Sequence, residues 1–570
     1  MNKLLLPFLK AYGATAKEIL TRKARDPIAT QERFLLELLQ AHQKTELGQQ
    51  FGLEDIRTVA AFRDRVPIWS YDDYEPYIER IVQGEPNVLN PDPVIYINLT
   101  SGTTGKQKMV PVTRRFKKVL ARANAASFGF SLTAFRRHSR SDRPLEFGKL
   151  MAANSVRLQG RTAAGIEYGP VTAGSYRMNR RLCELAFAQP YQAMEAKDVL
   201  TRHYVCLLFS LCNPQTRGLS ANFPMLVLQI CRYLEEYAES FIEDIARGTI
   251  APWLSLEPEI REYLEKRWQP NPKRAAELRH ILKTEGRLTP RAAWSKLSFV
   301  ATARGGTSDF YFERFPDYFG DLPISGGVYG TAEGTFAVYT DFNTDGAVLA
   351  LDSGFYEFIP RDQWDATEPK TLLSAELKVG EFYRILVTSY SGVYRYDIGD
   401  VVEVVGFYEN TPMIVFRHRR GGLLSSTTEK TTEFHVIRTM QMLQQEFGIN
   451  LDDFCVTLSA HEFPAHYWVN VELAEGQTLS KPEAFLARFD YWLGEFNNPY
   501  TTVRSADVPP PRLRILAPGS FEIVRQRQLK RGTSESQLKI PHVSEDRNFL
   551  SGLEVMEEVR MVEQVSALEH

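Results

Sequence analysis

Leu99 to Lys108 reads LTSGTTGKQK, a stretch that sets four hydroxyl side chains and two glycines against two lysines. Backbone N–H groups, hydroxyls and ammonium groups gathered in one loop can surround a single anion, so this composition is that of a phosphate cradle. Immediately upstream, Pro93 to Leu99 (PVIYINL) is a β-rich run. The loop therefore leaves the end of a predicted strand, where open α/β sheets bind ligands. The general phosphate loop GxxxxGK[ST] does not fit. Gly105 and Lys106 would supply its end, but Thr100 stands where the first glycine is needed and Gln107 where a Mg²⁺-binding hydroxyl is needed. What remains is S-G-T-T-G-K, a composition that taken alone is more often an ordinary turn, in which Ser101, Gly102, Thr103 and Thr104 are the candidate phosphate contacts.

Upstream of this stretch, TQERFLLELLQAHQK carries apolar residues at helical spacing, with Asp26 and Thr30 as cap candidates and an end near Gly48. The N-terminal MNKLLLPFLKAYG is too short and too interrupted for a secretory or membrane-spanning segment and predicts an amphipathic surface helix. Downstream, residues 115–290 read mostly as helices. From Leu297 the texture turns to short β-rich runs bounded by glycine, through GVYRYDIGDVVEVVGFY. FRHRRGG, Phe416 to Gly422, breaks the pattern like a hinge. Beyond it a helix, the strands DFCVTLSA and HYWVNVEL, a second helix with Ser480 and Glu483 at capping-box spacing, and the strand RLRIL suit a small α+β domain.

Composition narrows the function. The 570 residues suffice for several domains; 44% are hydrophobic and 24% charged, as in soluble globular proteins. With 68 basic against 70 acidic side chains the net charge is −2, so no global field draws in nucleic acid or an anionic membrane. Small-molecule chemistry is the expectation. Five cysteines without CxxC spacing argue against a disulfide framework or a zinc site and fit a reducing, cytoplasmic compartment.

Two further stretches bear on the loop. VYGTAEG, Val328 to Gly334, presents Glu333 after a glycine turn, and a carboxylate beside a triphosphate would hold Mg²⁺. YRYDIGDVVEVVG, Tyr394 to Gly406, puts Asp400 at the mouth of a β-run, where a carboxylate can accept hydrogen bonds from both ribose hydroxyls. Each alone is also an ordinary loop acid.

In this order and at these separations, the three segments resemble the adenylate-forming superfamily. Within it the chain is most similar to the acyl-acid amido synthetases, the auxin-responsive promoter family of plants with bacterial members, which includes indole-3-acetic acid and jasmonate amido synthetases. The likeness is carried by TSGTTGKQKMVPVT, VYGTAEG, YRYDIGDVVEVVGFYENTPMIVFRHRR with LLSSTTEKT after it, and PGSFEIVRQRQLKRGTSESQLKIPHV, and it spans nearly the whole chain.

The resemblance implies an α/β fold: a large N-terminal adenylate-forming domain of mixed sheets flanked by helices over 1–418, and a smaller, mobile α+β C-terminal domain over 419–570. It implies ATP and Mg²⁺ as cofactors, a small carboxylic acid and an amino acid as substrates, and neither nucleic acid nor membrane as partner. It assigns the nucleotide to Ser101, Gly102, Thr103, Thr104, Tyr329, Gly330, Thr331, Asp400 and Arg419, Mg²⁺ to Glu333, and catalysis to Glu333 and Lys539. His542 stands where the family usually has an arginine after Lys-x-Pro. The implied reaction is adenylation of the acid and transfer of its acyl group to an amino-acid amine. An acyl-CoA synthetase sharing the first step and a non-catalytic nucleotide-binding homologue remain alternatives.

Overall fold

In the computed structural model the run before the loop becomes β1 (Val94–Leu99), paired antiparallel with β2 (Met109–Thr113) so that Leu99 lies opposite Met109. Thr100 N–H donates to the Lys108 carbonyl at 2.9 Å, closing the stem to its last pair. The structure describes residues 5–100, 108–141, 144–306, 308–419, 422–427, 429–460, 462, 464–504, 508–533 and 538–561. These fall into two compact units, one ending at Phe416 and the next beginning at Arg417.

The first unit holds three sheets. After β2 come β3 (Lys149–Ala152), β4 (Gly160–Arg161), β5 (Glu167–Pro170) and β6 (Thr216–Ser220), so the region read as mostly helical also supplies strands. They escape a periodicity reading because each has only two to five residues. With β7 (Phe299–Ala301) and β8 (Ile324–Ser325), they complete two sheets. One runs β2-β1-β5-β4; the other, β3-β6-β7-β8, is parallel at every pairing. The third sheet takes β9 (Val328–Gly330), β10 (Thr335–Tyr339), β11 (Ala347–Leu349), β12 (Phe355–Pro360), β13 (Phe382–Thr388), β14 (Tyr396–Tyr408) and β15 (Thr411–Arg419) in the order β12-β13-β14-β15-β11-β10-β9.

The main core joins this seven-stranded sheet to the N-terminal helices and to the β1–β2 hairpin: Phe34, Leu38, Phe62, Tyr74, Tyr96, Val112, Phe336, Phe358 and Tyr394 belong to one buried cluster. Burial on both sides thus fixes the loop's stem against the strands that carry the VYGTAEG and YRYDIGD segments. The N-terminal run becomes the helix Leu5–Ala24, which packs along the helix Arg114–His138. The two backbones touch at glycines: a Cβ on Gly129 would lie 2.1 Å from the Gly13 carbonyl oxygen.

Two sequence expectations need correction. The helix read from Pro27 to near Gly48 is two helices, Pro27–His42 and Glu46–Gln50, because the Thr45 hydroxyl accepts the Gly48 N–H at 3.0 Å and starts a new one. Asp26 does cap the first, accepting from Ala29 N–H at 3.1 Å. The second-unit helix expected to begin at a Ser480 cap begins instead at Pro482, behind Lys481. Proline needs no cap for its missing N–H, and Glu483 complements the positive helix end.

The second unit has a two-stranded pair, β16 (Leu423–Leu424) with β17 (Thr431–Thr432), and a mixed sheet of β18 (Leu451–Leu458), β19 (Tyr467–Leu473), β20 (Arg512–Leu516), β21 (Val543–Ser544) and β22 (Val555–Arg560) in the order β21-β18-β19-β20-β22. The helices Glu433–Phe447 and Pro482–Phe496 pack together, and Ser520–Lys530 closes a core of Cys455, Leu516, Phe521, Val524 and Ile540.

The first unit's core also sets an acid limit. His42 is buried with Nδ1 3.0 Å from the Tyr394 hydroxyl, and burial first, then the Arg115 charge, push its pKa down from 6.5 to about 4. The unfolded chain therefore binds a proton that the folded chain refuses between those values. The stability that depends on keeping His42 neutral is full above about pH 6.5 and is lost as pH drops toward 4. Urea unfolding of native and His42→Gln chains at both ends of that window measures the effect: the native chain loses more stability than the variant.

Candidate functional site

At the base of the hairpin, β1 reaches the VYGTAEG segment directly: the Asn98 side-chain amide donates to the Ala332 carbonyl at 3.3 Å. That segment is a tight turn leaving β9. Thr331 N–H donates to the Gly334 carbonyl at 2.8 Å, and Glu333 N–H donates to the Thr331 hydroxyl at 3.2 Å. Thr331 thus builds the turn that aims Glu333. From the other side the buried Ser389 hydroxyl donates to the Glu333 carbonyl at 2.7 Å and meets Ser391 Oγ at 2.8 Å. Glu333 is 3% exposed. Its charge is one of those that, behind burial, push the Tyr71 hydroxyl up to about 12. Tyr71 itself accepts the Met109 N–H at 2.8 Å, and Lys108 Nζ lies 5.2 Å from its ring. The end of the loop, Tyr71 and the Glu333 turn therefore share one neighbourhood.

Asp400 closes the group. The strand read as VVEVV begins earlier, at Tyr396, so Asp400 lies inside β14 rather than at its mouth, and it is 1% exposed. The Tyr329 hydroxyl donates to Asp400 Oδ2 at 2.6 Å. The Tyr329 ring stacks on Phe336 at 5.2 Å and lies 5.8 Å from Phe416. Gly330, beside it, is exposed. The first unit thus brings Tyr329, Gly330, Thr331, Glu333 and Asp400 together. Ser101, Gly102, Thr103 and Thr104 lie outside the described residues. The boundary between the units falls inside β15, after Phe416, so Arg419, the last residue of that strand, is counted with the second unit, as is Lys539; Lys539 Nζ lies 3.5 Å from Glu433 Oε2.

Two contributors were missed from sequence. Arg395, read only as part of YRYDIGD, holds a left-handed backbone at φ 44° and is buried against Glu357, with Nε and Nη2 each 3.0 Å from a carboxylate oxygen. Its Nη1 also donates to the Arg63 and Val66 carbonyls, both at 2.8 Å. This network anchors the start of β14 and hence Asp400. The second contributor is Thr302–Gly306, which follows β7 and runs beside Phe416: Gly306 N–H donates to the Phe416 carbonyl at 2.8 Å. A Cβ on Gly305, at φ 81°, would meet that oxygen at 2.9 Å. Its legible signal is the glycine pair Gly305 and Gly306 shortly after a strand.

Among the described residues no three His, Cys, Asp or Glu side chains cluster as a metal site. A buried carboxylate such as Glu333 nevertheless suits Mg²⁺, which is commonly held by one or two carboxylates together with substrate phosphates. The five cysteines are unpaired thiols, and among the described residues no helix is long and apolar enough to cross a membrane.

Comparison with known proteins follows the same outline. Models of the GH3 family N-terminal, central and C-terminal domains match residues 16–324, 347–419 and 434–548. The indole-3-acetic acid-amido synthetase GH3.8 of Oryza sativa subsp. indica is 28% identical over 546 residues, covering 90% of this chain and 87% of that one. The jasmonoyl–L-amino acid synthetase JAR4 of Nicotiana attenuata is 28% identical over 476 residues, 80% of each chain. In fold, the structure of the GH3.15 acyl acid amido synthetase matches with a TM-score of 0.84 at 22% identity, covering 95% of this chain and 97% of that one. A 2-hydroxyisobutyryl-CoA ligase bound to its acyl-adenylate matches more loosely, with a TM-score of 0.53 at 13% identity over 93% and 92% of the chains.

Proposed function

The chain belongs to the GH3 family, and from that premise we propose that it is an ATP-dependent ligase joining a small carboxylic acid to the amine of an amino acid. A carboxylate is a poor electrophile because its leaving group would be oxide. In the first step a carboxylate oxygen attacks the α-phosphorus of ATP, the bond to the β-phosphate oxygen breaks, and pyrophosphate leaves. In the second, the amine nitrogen attacks the acyl carbon, AMP leaves, and the amine gives up a proton. Positioning and charge stabilisation carry both steps.

The observation that most supports this reading is the Tyr329 hydroxyl at 2.6 Å from Asp400 beside the Glu333 turn. In our reading Asp400 accepts the ribose hydroxyls, with Tyr329, Gly330 and Thr331 bordering the nucleotide. Ser101, Gly102, Thr103 and Thr104 contact the phosphates, and Glu333 would hold Mg²⁺. That ion, when bound, neutralises phosphate charge. Lys539 follows the charge that develops on the phosphates, and Arg419 contributes from the same second domain, which we take to be mobile. A cytoplasmic setting fits the five unpaired thiols.

Product mass tests the reading. Enzyme, ATP and Mg²⁺ are incubated with indole-3-acetic acid, jasmonic acid or 2,4-DB, and with either mixed amino acids or coenzyme A. An amide formed with AMP supports it; a thioester, or no product with any pair, contradicts it. In the same assay Glu333→Gln lowers the rate about a hundredfold, a typical loss for one preorganised electrostatic contact, and raising Mg²⁺ restores part of it.

A further inference from the structure

The second unit carries an arrangement around Lys539 that neither the motifs nor the proposed chemistry uses. Glu433 opens the helix Glu433–Phe447, and its carboxylate is engaged twice. Oε1 accepts the His542 N–H at 2.9 Å, and Oε2 lies 3.5 Å from Lys539 Nζ. His542 is itself fixed: its ring stacks on Phe454 at 4.1 Å, and Nε2 lies 3.2 Å from Asp453 Oδ1. Arg525 Nη2 is 3.2 Å from the other Asp453 oxygen. The histidine that replaces the family's usual arginine is thus a core side chain of this unit, completely buried.

On the other side of the lysine, Leu538 and Ile540 are buried, and Val543 pairs with Val456 across the β18–β21 ladder. The backbone of Lys539 is therefore clamped on both flanks. A four-carbon stem lets an ammonium sample many directions unless an anion selects one. The Lys539 side chain is 37% exposed and that of Glu433 13%, so the pair joins an anchored acid to a cation open to solvent. Burial alone would raise the Glu433 carboxyl; Lys539, His542 and the His542 N–H outweigh it and hold the carboxyl below its ordinary range.

We infer that Glu433 is a positioning residue for Lys539: tied through one oxygen to the His542 backbone, it uses the other to set the direction in which the ammonium is presented. The inference rests on the reading that Lys539 acts on the phosphates of ATP. It predicts an effect confined to the step in which those phosphates react.

The test uses the full chain, the panel acid giving the fastest exchange of pyrophosphate into ATP, and the matching synthetic acyl-adenylate. Glu433→Gln keeps an acceptor for the His542 N–H while removing the charge. It lowers acid-dependent exchange about tenfold, a coupling within the range for directly interacting groups, and leaves amide formation from the supplied adenylate unchanged. Lys539→Ala lowers exchange more, and the double variant equals Lys539→Ala because there is then no ammonium to orient. The inference is overturned if Glu433→Gln exchanges like the native chain, if both steps fall together as a loss of folding would make them, or if the double variant is slower than Lys539→Ala. If Lys539→Ala exchanges normally, the reading of the lysine fails instead. Acetic anhydride labelling then decides on the pair itself: faster acetylation of Lys539 in Glu433→Gln upholds it, and unchanged labelling overturns it.

Discussion

Replacing Asp400 with alanine lowers kcat/KM for ATP in acid-dependent pyrophosphate exchange about a hundredfold, the usual loss when one preorganised polar contact disappears from a dry site. The size follows from position. Asp400 is 1% exposed inside β14, and Tyr329 fixes one of its oxygens at 2.6 Å, so the carboxylate needs little reorganisation to accept a ribose. Tyr329→Phe removes only the hydrogen bond that orients it, and costs about tenfold, close to one neutral-to-charged hydrogen bond. The two losses do not add, because both act through the same carboxylate. Exchange kinetics of the single and double variants, with KM for the acid as control, check this.

The largest expected effect on stability lies behind that site. Arg395→Met takes the two-pronged partner from Glu357, itself 1% exposed, and leaves it only the longer 3.5 Å ion pair with Arg63 Nε, so the loss lies at the low end of that for breaking a buried pair, about 3 kcal/mol. Thr371, whose hydroxyl donates to Glu357 Oε1 at 2.6 Å, offsets only part of it. Replacing both partners, as in Arg395→Met with Glu357→Leu, costs less than Arg395→Met alone because no charge stays buried. The change lies beside Trp69, whose backbone N–H donates to the Arg395 carbonyl at 3.3 Å. Urea unfolding followed by circular dichroism gives an early transition for the single variant and partial recovery for the double one.

Legibility in the sequence followed the physics of each element. The strand before the LTSGTTGKQK stretch is readable because PVIYINL is a β-rich run ending at a glycine-rich stretch, and the late β-rich block because glycines punctuate it. Strands β3 to β6 were not, being too short for either periodicity. The end of the helix from Pro27 was misread because a threonine cap looks in sequence like one more polar helix position. Within the site, Glu333 and Asp400 were visible as acids in recurring motifs. Arg395 was quoted within its motif without a role, since its partners Glu357, Arg63 and Val66 come from distant segments that only the tertiary fold brings together. The Glu433–Lys539 pair was hidden for the same reason: 106 positions separate the two residues.

Exchange of labelled pyrophosphate into ATP reports whether this chain activates an acid as its adenylate at the site containing Tyr329, Glu333 and Asp400. The expected exchange requires both an acid and Mg²⁺ and falls about a hundredfold in Asp400→Ala. Exchange with no acid present, absence of exchange with every acid offered, or undiminished exchange in Asp400→Ala would contradict it.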